Sequence, residues 1–556
     1  MDRFRVSIPA VAVFFVVALG LAGVAASAAG GVPVPEPGWP VATAYSVSQS
    51  AVAAQLDADP ELEIVISSQD RYLYVFEHDG SIAPGWPRFL GDALGPDEWV
   101  NQCSSPAVAD LDDDGTPELI AGNFDGKLHV FEPDGSVRPG FPFQTGWMIF
   151  STPAIGDIDG DGHPEIVFGS NDGGIYALRG NGTLCPGFPY HTPYVVRSSP
   201  ALGDLDGDGI AEIVCTADNS DYQLYAIRGD GTNLPGFPKV LWQSGAISSP
   251  ALGDIDADGD LDIVAGARDG SIHVLDGAGA YLPGWPLDAG YSCESSPTLA
   301  NLDGDAGLEI VVGMNDSQVC AFEPDGSPLP GWPRPTSYTV KSSASIGDVD
   351  ADGAPEIVIG ENTGKVYGWN VDGSSLPGFP ITDPTYTIYS SPLLEDLDRD
   401  GSLELLVGCN DTRIYCWDLG PGTYDPSSLV WGQWRHDALK TGAVPAHDPA
   451  SIADPGLAGA IAGETAGLRA FPNPFSAATE LRFRIAPGSA ASVAIFDLQG
   501  RWIRGWDGVA PAGGGGTAQI DWDGSDAAGR AVPRGLYLVR IRSNGGTATG
   551  RLVRLP

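Results

Sequence analysis

Along most of this chain, apolar and polar residues come in short runs cut off by glycine and proline. In the stretch that shows this best, Ser151-Thr-Pro-Ala-Ile155 is a short apolar strand, Glu165-Ile-Val-Phe-Gly169 a second and Ile175-Tyr-Ala-Leu178 a third, and Pro186-Gly-Phe-Pro189 opens a fourth. Asn171-Asp-Gly-Gly174 is a hairpin turn of the Asp-Gly kind, and Gly180-Asn-Gly-Thr183 is a second turn. Strands of this length with turn residues between them, and no helical period, predict an all-β chain. The four-strand phrase recurs from residue 41 to residue 442. Many four-strand units predict a β-propeller, whose radially packed blades leave few sheet edges open.

The link between the first two strands of each unit is acidic. In the third unit Asp157, Asp159 and Asp161 alternate, Gly162 follows, and Glu165 closes the run. Calcium takes about six to eight oxygen ligands, and a tight loop with oxygens at positions 1, 3 and 5, glycine at 6, a carbonyl at 7 and a further carboxylate supplies them. Without a cation the three carboxylates repel one another, so the ion is expected to be part of the fold. The first position falls at Gln55, Asp110, Asp157, Asp204, Asp254, Asn301, Asp348 and Asp396, and after the first copy the steps are 47, 47, 50, 47, 47 and 48 residues. Six copies carry the turn glycine, at Gly115, Gly162, Gly209, Gly259, Gly353 and Gly401. The copy at Asn301 has Ala306 there, with Gly307 one place late, and the copy at Gln55 has a neutral first residue and Pro60 at the turn.

Composition narrows the class. The chain has 556 residues, 75 Gly, 47 Pro and a net charge of -43, too long for one core, too apolar for disorder, and the wrong sign for nucleic acid. Much of the acid stands in the repeated loops and so reads as metal ligation. Residues 1–28 carry Arg3 and Arg5, an apolar run from Ile8 to Ala26, and Ala26-Ser27-Ala28. That is the pattern of a cleavable signal peptide, with an uncleaved anchor as the alternative. A secreted or cell-surface location follows, with no membrane span after cleavage. The seven cysteines have no CxxC spacing; Cys409 and Cys416 flank a predicted hairpin turn, and no pair is assigned.

Pro-Gly-Trp/Phe-Pro occurs eight times, with its aromatic at Trp39, Trp86, Phe141, Phe188, Phe237, Trp285, Trp332 and Phe379. The first copy precedes the first acidic loop, so the start of the chain supplies the last strand of the final blade and closes the ring. The count predicts eight blades; seven is the alternative if the unit at Gln55 is not a blade.

The repeat resembles the FG-GAP (VCBS) repeats of bacterial surface proteins and of the integrin α-subunit propeller, whose Asp-x-Asp-x-Asp-Gly-x-x-Asp loops bind calcium between the first two strands of a blade. The resemblance implies about six to seven structural calcium ions. In the second unit the implied ligands are Asp110, Asp112, Asp114 and Glu118 with the carbonyl of Thr116, and in the third Asp157, Asp159, Asp161 and Glu165 with that of His163. Then come Asp204, Asp206, Asp208, Ile210 and Glu212, and next Asp254, Asp256, Asp258, Asp260 and Asp262. Asn301, Asp303, Asp305 and Glu309 form the degenerate sixth set. The last two sets are Asp348, Asp350, Asp352, Ala354 and Glu356, and Asp396, Asp398, Asp400, Ser402 and Glu404. An EF-hand or a dockerin would need flanking helices, whereas here a strand follows each loop at once.

Other residues invite a chemical reading. His129 and His273 share a third-strand position with Tyr74, Tyr176, Tyr225, Cys320, Tyr367 and Tyr415, which marks a packing position. Trp99, Trp147, Tyr194, Trp242, Tyr291, Tyr338 and Tyr386 each stand just ahead of the next unit's first strand, on the face opposite the acidic loops. Inter-blade packing is the plain reading of that row. A ligand face for sugar rings or a peptide is the other. Trp431-Gly-Gln-Trp-Arg-His-Asp437 resembles the signature that ends such exported propellers, and reads as a structural seal.

Residues 443–468 form a linker rich in Ala, Gly and Pro. Residues 469–556 alternate apolar and polar positions as an immunoglobulin-like sandwich does. This tail resembles hook-cap type Ig-like domains and type IX secretion sorting domains through Asn473-Pro-Phe475, Phe496-Asp-Leu-Gln-Gly-Arg501, Trp522-Asp-Gly524 and Gly535-Leu-Tyr537, although Arg551 and Arg554 stand where that family ends in lysine. It holds 11 Arg against 6 Asp plus Glu, or +5, leaving -48 for the rest. Such asymmetry suits docking on export machinery or a surface glycan. Two functions remain open: an exported calcium-stabilised propeller for binding or adhesion to a glycan or protein, or a polysaccharide-active enzyme such as a rhamnogalacturonan-lyase-like propeller. No Ser-His-Asp, His-Glu-x-x-His or phosphate-loop motif assigns catalytic residues or an organic cofactor.

Overall fold

Each unit's second strand is buried along its whole length, as at Glu165–Gly169, and therefore reads as a continuous apolar run rather than an alternation. The computed structural model describes residues 32–57, 59–91, 103–112, 114–217, 222–241, 248–305, 307–421, 430–433, 435–437 and 440–443, and then 469–471, 479–484, 491–497, 502–509, 517–525, 530, 532, 535–543 and 546–554. The signal segment, the linker from residue 444, Trp99 and Trp242 lie outside the described residues.

Up to residue 421 the described strands form antiparallel sheets: one of five strands, six of four and one of three. In the third unit the order is Ala154–Gly156, Glu165–Gly169, Gly174–Arg179 and Tyr190–His191, from inner to outer edge. Its register sets Gly156 opposite Glu165 and Glu165 opposite Arg179, so the end of the third strand meets the acidic loop. Neighbouring sheets share their apolar side chains; Ala154, Val167 and Ala177 pack in one cluster with Ile213, Cys215 and Tyr225. This is a β-propeller.

The start of the repeat region pairs with the hairpin of its last blade, as the sequence predicts. Val34 lies opposite Asp418 and Val41 opposite Ile414, both on Arg413–Pro421. A series of hydroxyl residues ties the inner strands together from blade to blade. The N–H of Thr152 donates to Ser199 Oγ at 2.9 Å, Ser199 to Ser249 at 2.9 Å, Ser249 to Ser296 at 2.9 Å and Ser296 to Ser343 at 3.0 Å. Ser343 then donates to Ser391 at 3.1 Å, Ser391 to Ser50 at 2.8 Å, and Ser50 to Ser105 at 3.0 Å. In five units the residue just before clamps its own blade, as Ser198, Ser248, Ser342 and Ser390 do and as Ser151 does: its Oγ donates to the Gly169 carbonyl at 2.9 Å and accepts the Gly169 N–H at 2.7 Å. The Ser-Ser-Pro and Ser-Thr-Pro phrases are thus seams as well as strand starts.

At the outer edge the tryptophans of Pro-Gly-Trp-Pro reach the next blade: Trp39, Trp86, Trp285 and Trp332 donate Nε1–H to the carbonyls of His78, Pro133, Pro324 and Val371 at 2.7 to 2.9 Å. The axis is filled from the other end of the repeat region. Trp431 exchanges main-chain bonds with Ile346, Gly432 accepts from Leu394, Thr441 from Leu202 and Gly442 from Leu252. Arg435, 2% exposed, donates to the carbonyls of Pro200 and Pro250. This segment therefore pairs with inner strands on both sides of the ring.

Beyond residue 468 the sheet of Arg469–Phe471, Thr479–Arg484 and Thr517–Trp522 and the sheet of Trp502–Val509, Ala491–Asp497, Gly535–Ser543 and Gly546–Arg554 share a core of Leu481, Val493, Ile495, Trp522, Tyr537 and Val539. Among the described residues no helix is long and apolar enough to cross a membrane. Cys409 lies opposite Arg413 and Cys416 opposite Leu406, so these two do not pair across the hairpin.

Candidate functional site

Each acidic loop is closed by its own main chain before any ion is considered. The ninth-position carboxylate accepts the N–H of position 2: Glu118 from Leu111 at 2.8 Å, Glu212 from Leu205 at 2.8 Å, Asp262 from Ile255 at 2.9 Å, Glu356 from Val349 at 2.8 Å and Glu404 from Leu397 at 2.7 Å. The first-position aspartate accepts from the turn glycine, as Asp157 does from Gly162 at 2.9 Å and Asp348 from Gly353 at 2.9 Å. Position 5 accepts from the N–H of position 7: Asp114 from Thr116, Asp161 from His163, Asp208 from Ile210, Asp258 from Asp260, Asp352 from Ala354 and Asp400 from Ser402, at 2.8 to 3.0 Å. The turn needs φ of +89° at Gly162, and five more glycines sit near the same value.

These bonds bring the carboxylates together. Ligand-capable oxygens of Asp110, Asp112 and Asp114, of Asp157, Asp159 and Glu165, of Asp204, Asp206 and Glu212, and of Asp254, Asp256 and Asp258 lie within 4.8 Å of one another in each group. Burial pushes the ninth-position carboxyls up, against the opposing main-chain N–H: to about 9 at Glu356 and Glu404, about 8 at Glu309 and about 7 at Glu165, Glu212 and Asp262. Oε1 of Glu309 and of Glu356, on residues with no exposed surface, has no hydrogen-bond partner. A buried carboxylate oxygen without a donor is costly. The donor set, all oxygen and multiply anionic, fits a hard divalent cation.

The degenerate loops differ in a telling way. Gln55 turns its amide into its own loop and donates to the carbonyls of Asp57 and Asp59 at 3.2 and 2.6 Å. Asn301 donates to the carbonyl of Asp305. A neutral donor thus stands in these two loops where the complete copies present an acid. The first loop also gathers Asp57, Asp59 and Glu63 with Glu77, a residue on the third-strand side that the motif does not include.

On the opposite face the aromatic row is exposed. Trp147 is 48% exposed, Tyr194 44%, Tyr291 60%, Tyr338 54% and Tyr386 62%. Tyr45, 54% exposed, stands at the same position ahead of the first unit and was not among the sequence candidates; its Thr-x-Tyr spacing, shared with Thr192 and Tyr194, was the signal. The main chain beneath four of these rings is fixed by a threonine. Thr43, Thr145, Thr192 and Thr336 donate Oγ1–H to the carbonyls of Tyr45, Trp147, Tyr194 and Tyr338 at 2.5 to 2.7 Å. A Cβ on Gly173 would lie 3.0 Å from the carbonyl oxygens of Thr192 and Tyr194, so the hairpin glycine lets this segment sit on the turn.

Where it holds Tyr74, Tyr176 or Tyr415, the third-strand position proves to be a latch for the same segment. Asp172 accepts from Tyr176 OH at 2.7 Å and from the N–H of Gly146 at 2.6 Å, one residue before Trp147. Asp411 does the same with Tyr415 and Thr385, and Asp70 with Tyr74 and Ala44. His129 and His273 are buried and burial pushes both down to about 4, so they are neutral packing groups.

A sequence model of the FG-GAP-like repeat matches residues 110–168, 157–215, 204–265 and 348–407, each window running from one acidic loop into the second strand of the next blade. The chain therefore carries FG-GAP-like repeats. A comparison with curated proteins finds no match. Among solved structures, Saccharomyces cerevisiae Sqt1 is similar at 15% identity and a TM-score of 0.51, over 70% of this chain and 100% of that one. The Vibrio cholerae biofilm matrix protein Bap1 is similar at 13% identity and a TM-score of 0.52, over 76% and 98%. At such identities the likeness is one of fold.

Proposed function

We propose that this chain is an exported, calcium-stabilised propeller of eight blades that binds a neutral polysaccharide on its aromatic face, with the C-terminal sandwich serving as an immunoglobulin-like sorting or attachment module. One observation carries the binding reading: an aromatic held at the same repeat position and left 44 to 62% exposed. The fold gives no reason to keep it there, whereas stacking on sugar rings does. Six of the eight Pro-Gly-Trp/Phe-Pro aromatics, in contrast, are only 7 to 8% exposed, and Phe141 and Phe379 are half-buried.

The cations near these connections favour a neutral ligand over an acidic one. Arg88, Lys239 and Arg334 donate to the carbonyls of Asp134, Gly279 and Asp372, Lys341 pairs with Glu294 at 2.8 Å, and Arg197 lies over the ring of Phe150. Each is thus engaged inside the molecule, and the chain as a whole is strongly negative. Eight blades are supported by the sheets before residue 422 and by the hydroxyl bonds that run blade to blade from Thr152 round to Ser391, Ser50 and Ser105. Calcium is supported by the unpartnered oxygens of Glu309 and Glu356. The sorting or attachment role rests on the two-sheet core of the tail and its +5 charge against -48.

The test is electrophoresis of the mature protein, in calcium, through gels holding neutral or acidic polysaccharides. Retardation by a neutral glycan, lost in a variant carrying Trp147→Ala, Tyr291→Ala and Tyr386→Ala, is the expected result. Equal mobility of parent and variant in every gel would sink the reading, and release of new chain ends would replace it with the enzymatic alternative.

A further inference from the structure

Three of the acidic loops meet an arginine from their own blade. Arg138, just ahead of the Pro139-Gly140 turn of the second unit, sets Nη1 2.7 Å from Glu118 and Nη2 2.7 Å from Asp112. These are the ninth and third positions of that loop. Its Nε donates to the carbonyl of Gly180 in the following blade at 3.0 Å, and its side chain is only 10% exposed, so the guanidinium is held in place from behind. Arg179 and Arg228, at the third-strand ends of the next two units, meet the third-position carboxylate, Asp159 at 2.9 Å and Asp206 at 2.7 Å, and are 39% and 34% exposed.

The repeat provides its own control. At the place of Arg138 four other units carry Leu234, Leu282, Leu329 and Leu376. In two of those units the ninth-position oxygen that Arg138 occupies in the second unit, Oε1 of Glu309 and of Glu356, has no partner. The same atom, without a hydrogen-bond partner in all three units, therefore has a tethered cation beside it in one blade and none beside it in the other two.

We propose that Arg138 is a built-in substitute for calcium in the second unit, so that a loop complete by its motif is the weakest calcium site among the complete ones. The inference rests on the calcium reading given above. A dication entering this loop must first displace an oriented, nearly buried guanidinium from two carboxylates, and charge-assisted bonds of this kind are strong. The affinity of the second loop falls on the order of a hundredfold below that of the fifth, where Leu282 leaves the carboxylates free. Arg179 and Arg228 swing into water at little cost, so their loops lose less than about tenfold. The ring thus holds calcium in graded classes, and the second blade keeps its loop folded when calcium is scarce.

The experiment is a calorimetric calcium titration of the chelator-stripped full chain, with a competing chelator to resolve tight sites, on the parent and on Arg138→Leu. Leucine already serves at this position elsewhere in the ring, so the variant is expected to fold. The expected result is one more tight site in the variant than in the parent. Identical isotherms would overturn the inference while leaving the calcium reading intact. If Arg138→Leu does not give a folded protein, Leu282→Arg asks the converse: loss of one tight site supports the proposal, and an unchanged number overturns it. No calcium uptake by the parent would instead overturn the calcium reading.

Discussion

The two faces of the propeller keep their repeated residues for different reasons. On the loop face most of the repeated carboxylates have work inside the molecule: Glu356 closes its loop on Val349, Asp348 holds the turn at Gly353, and Asp352 caps Ala354. On the opposite face the repeated aromatic has its main chain pinned by Thr192 or its counterparts, while its ring stays in water. Repetition alone therefore does not mark function. A residue repeated and buried is explained by the fold; a residue repeated and exposed is explained by something outside it.

The largest effect that would separate the faces is removal of the cation. A site held at a hundred times its dissociation constant contributes about 2.7 kcal/mol, and several such sites in one cooperative ring add up. Chelation is expected to lower the melting midpoint of the propeller by more than about 10 °C, with calcium restoring it. Superimposable melting curves with and without chelator would mean that the loop face is held by its hydrogen bonds alone. The axis gives a smaller effect that depends on neither face. Arg435→Ala removes a buried guanidinium from the carbonyls of Pro200 and Pro250 and leaves a cavity. Differential scanning calorimetry in saturating calcium should show a loss of roughly 3 kcal/mol; a variant as stable as the parent would show that the segment is laid against the ring without helping to hold it.

What was legible in the sequence follows from distance along the chain. The loop ligands alternate within nine residues, so their spacing alone describes the site, and the eightfold Pro-Gly-Trp/Phe-Pro phrase exposes the closure between Val34 and Asp418. Partners brought in by strand pairing were not legible. Arg179 reaches Asp159 because Glu165 pairs with Arg179, and Arg138 reaches Asp112 through a turn between two further strands. The serine pairs read as strand starts because their bonds run to the next blade, 47 to 50 residues away in Thr152, Ser199, Ser249 and Ser296. Tyr45 was missed because it precedes the first loop, where the repeat has no preceding unit to align it. The third-strand tyrosines were read as packing, which is true of their rings; the bond from Tyr176 to Asp172 that anchors the neighbouring connection needed coordinates.

The smallest expected effect is the one that decides the comparison. Tyr291→Ala and Tyr386→Ala remove rings that are 60% and 62% exposed, and leave untouched the main-chain contacts over Gly270 and Gly364 that seat each segment on its hairpin. Their cost to stability should stay within about 0.5 kcal/mol, the range of ordinary surface changes. Denaturant unfolding in calcium measures it directly. If each variant loses more than about 1.5 kcal/mol, the rings are packing against the blades in solution, the row belongs to the fold after all, and the exposed face loses its claim to a ligand. If stability is kept while retardation by polysaccharide is lost, the same two residues are shown to be dispensable for the ring and necessary for what it holds.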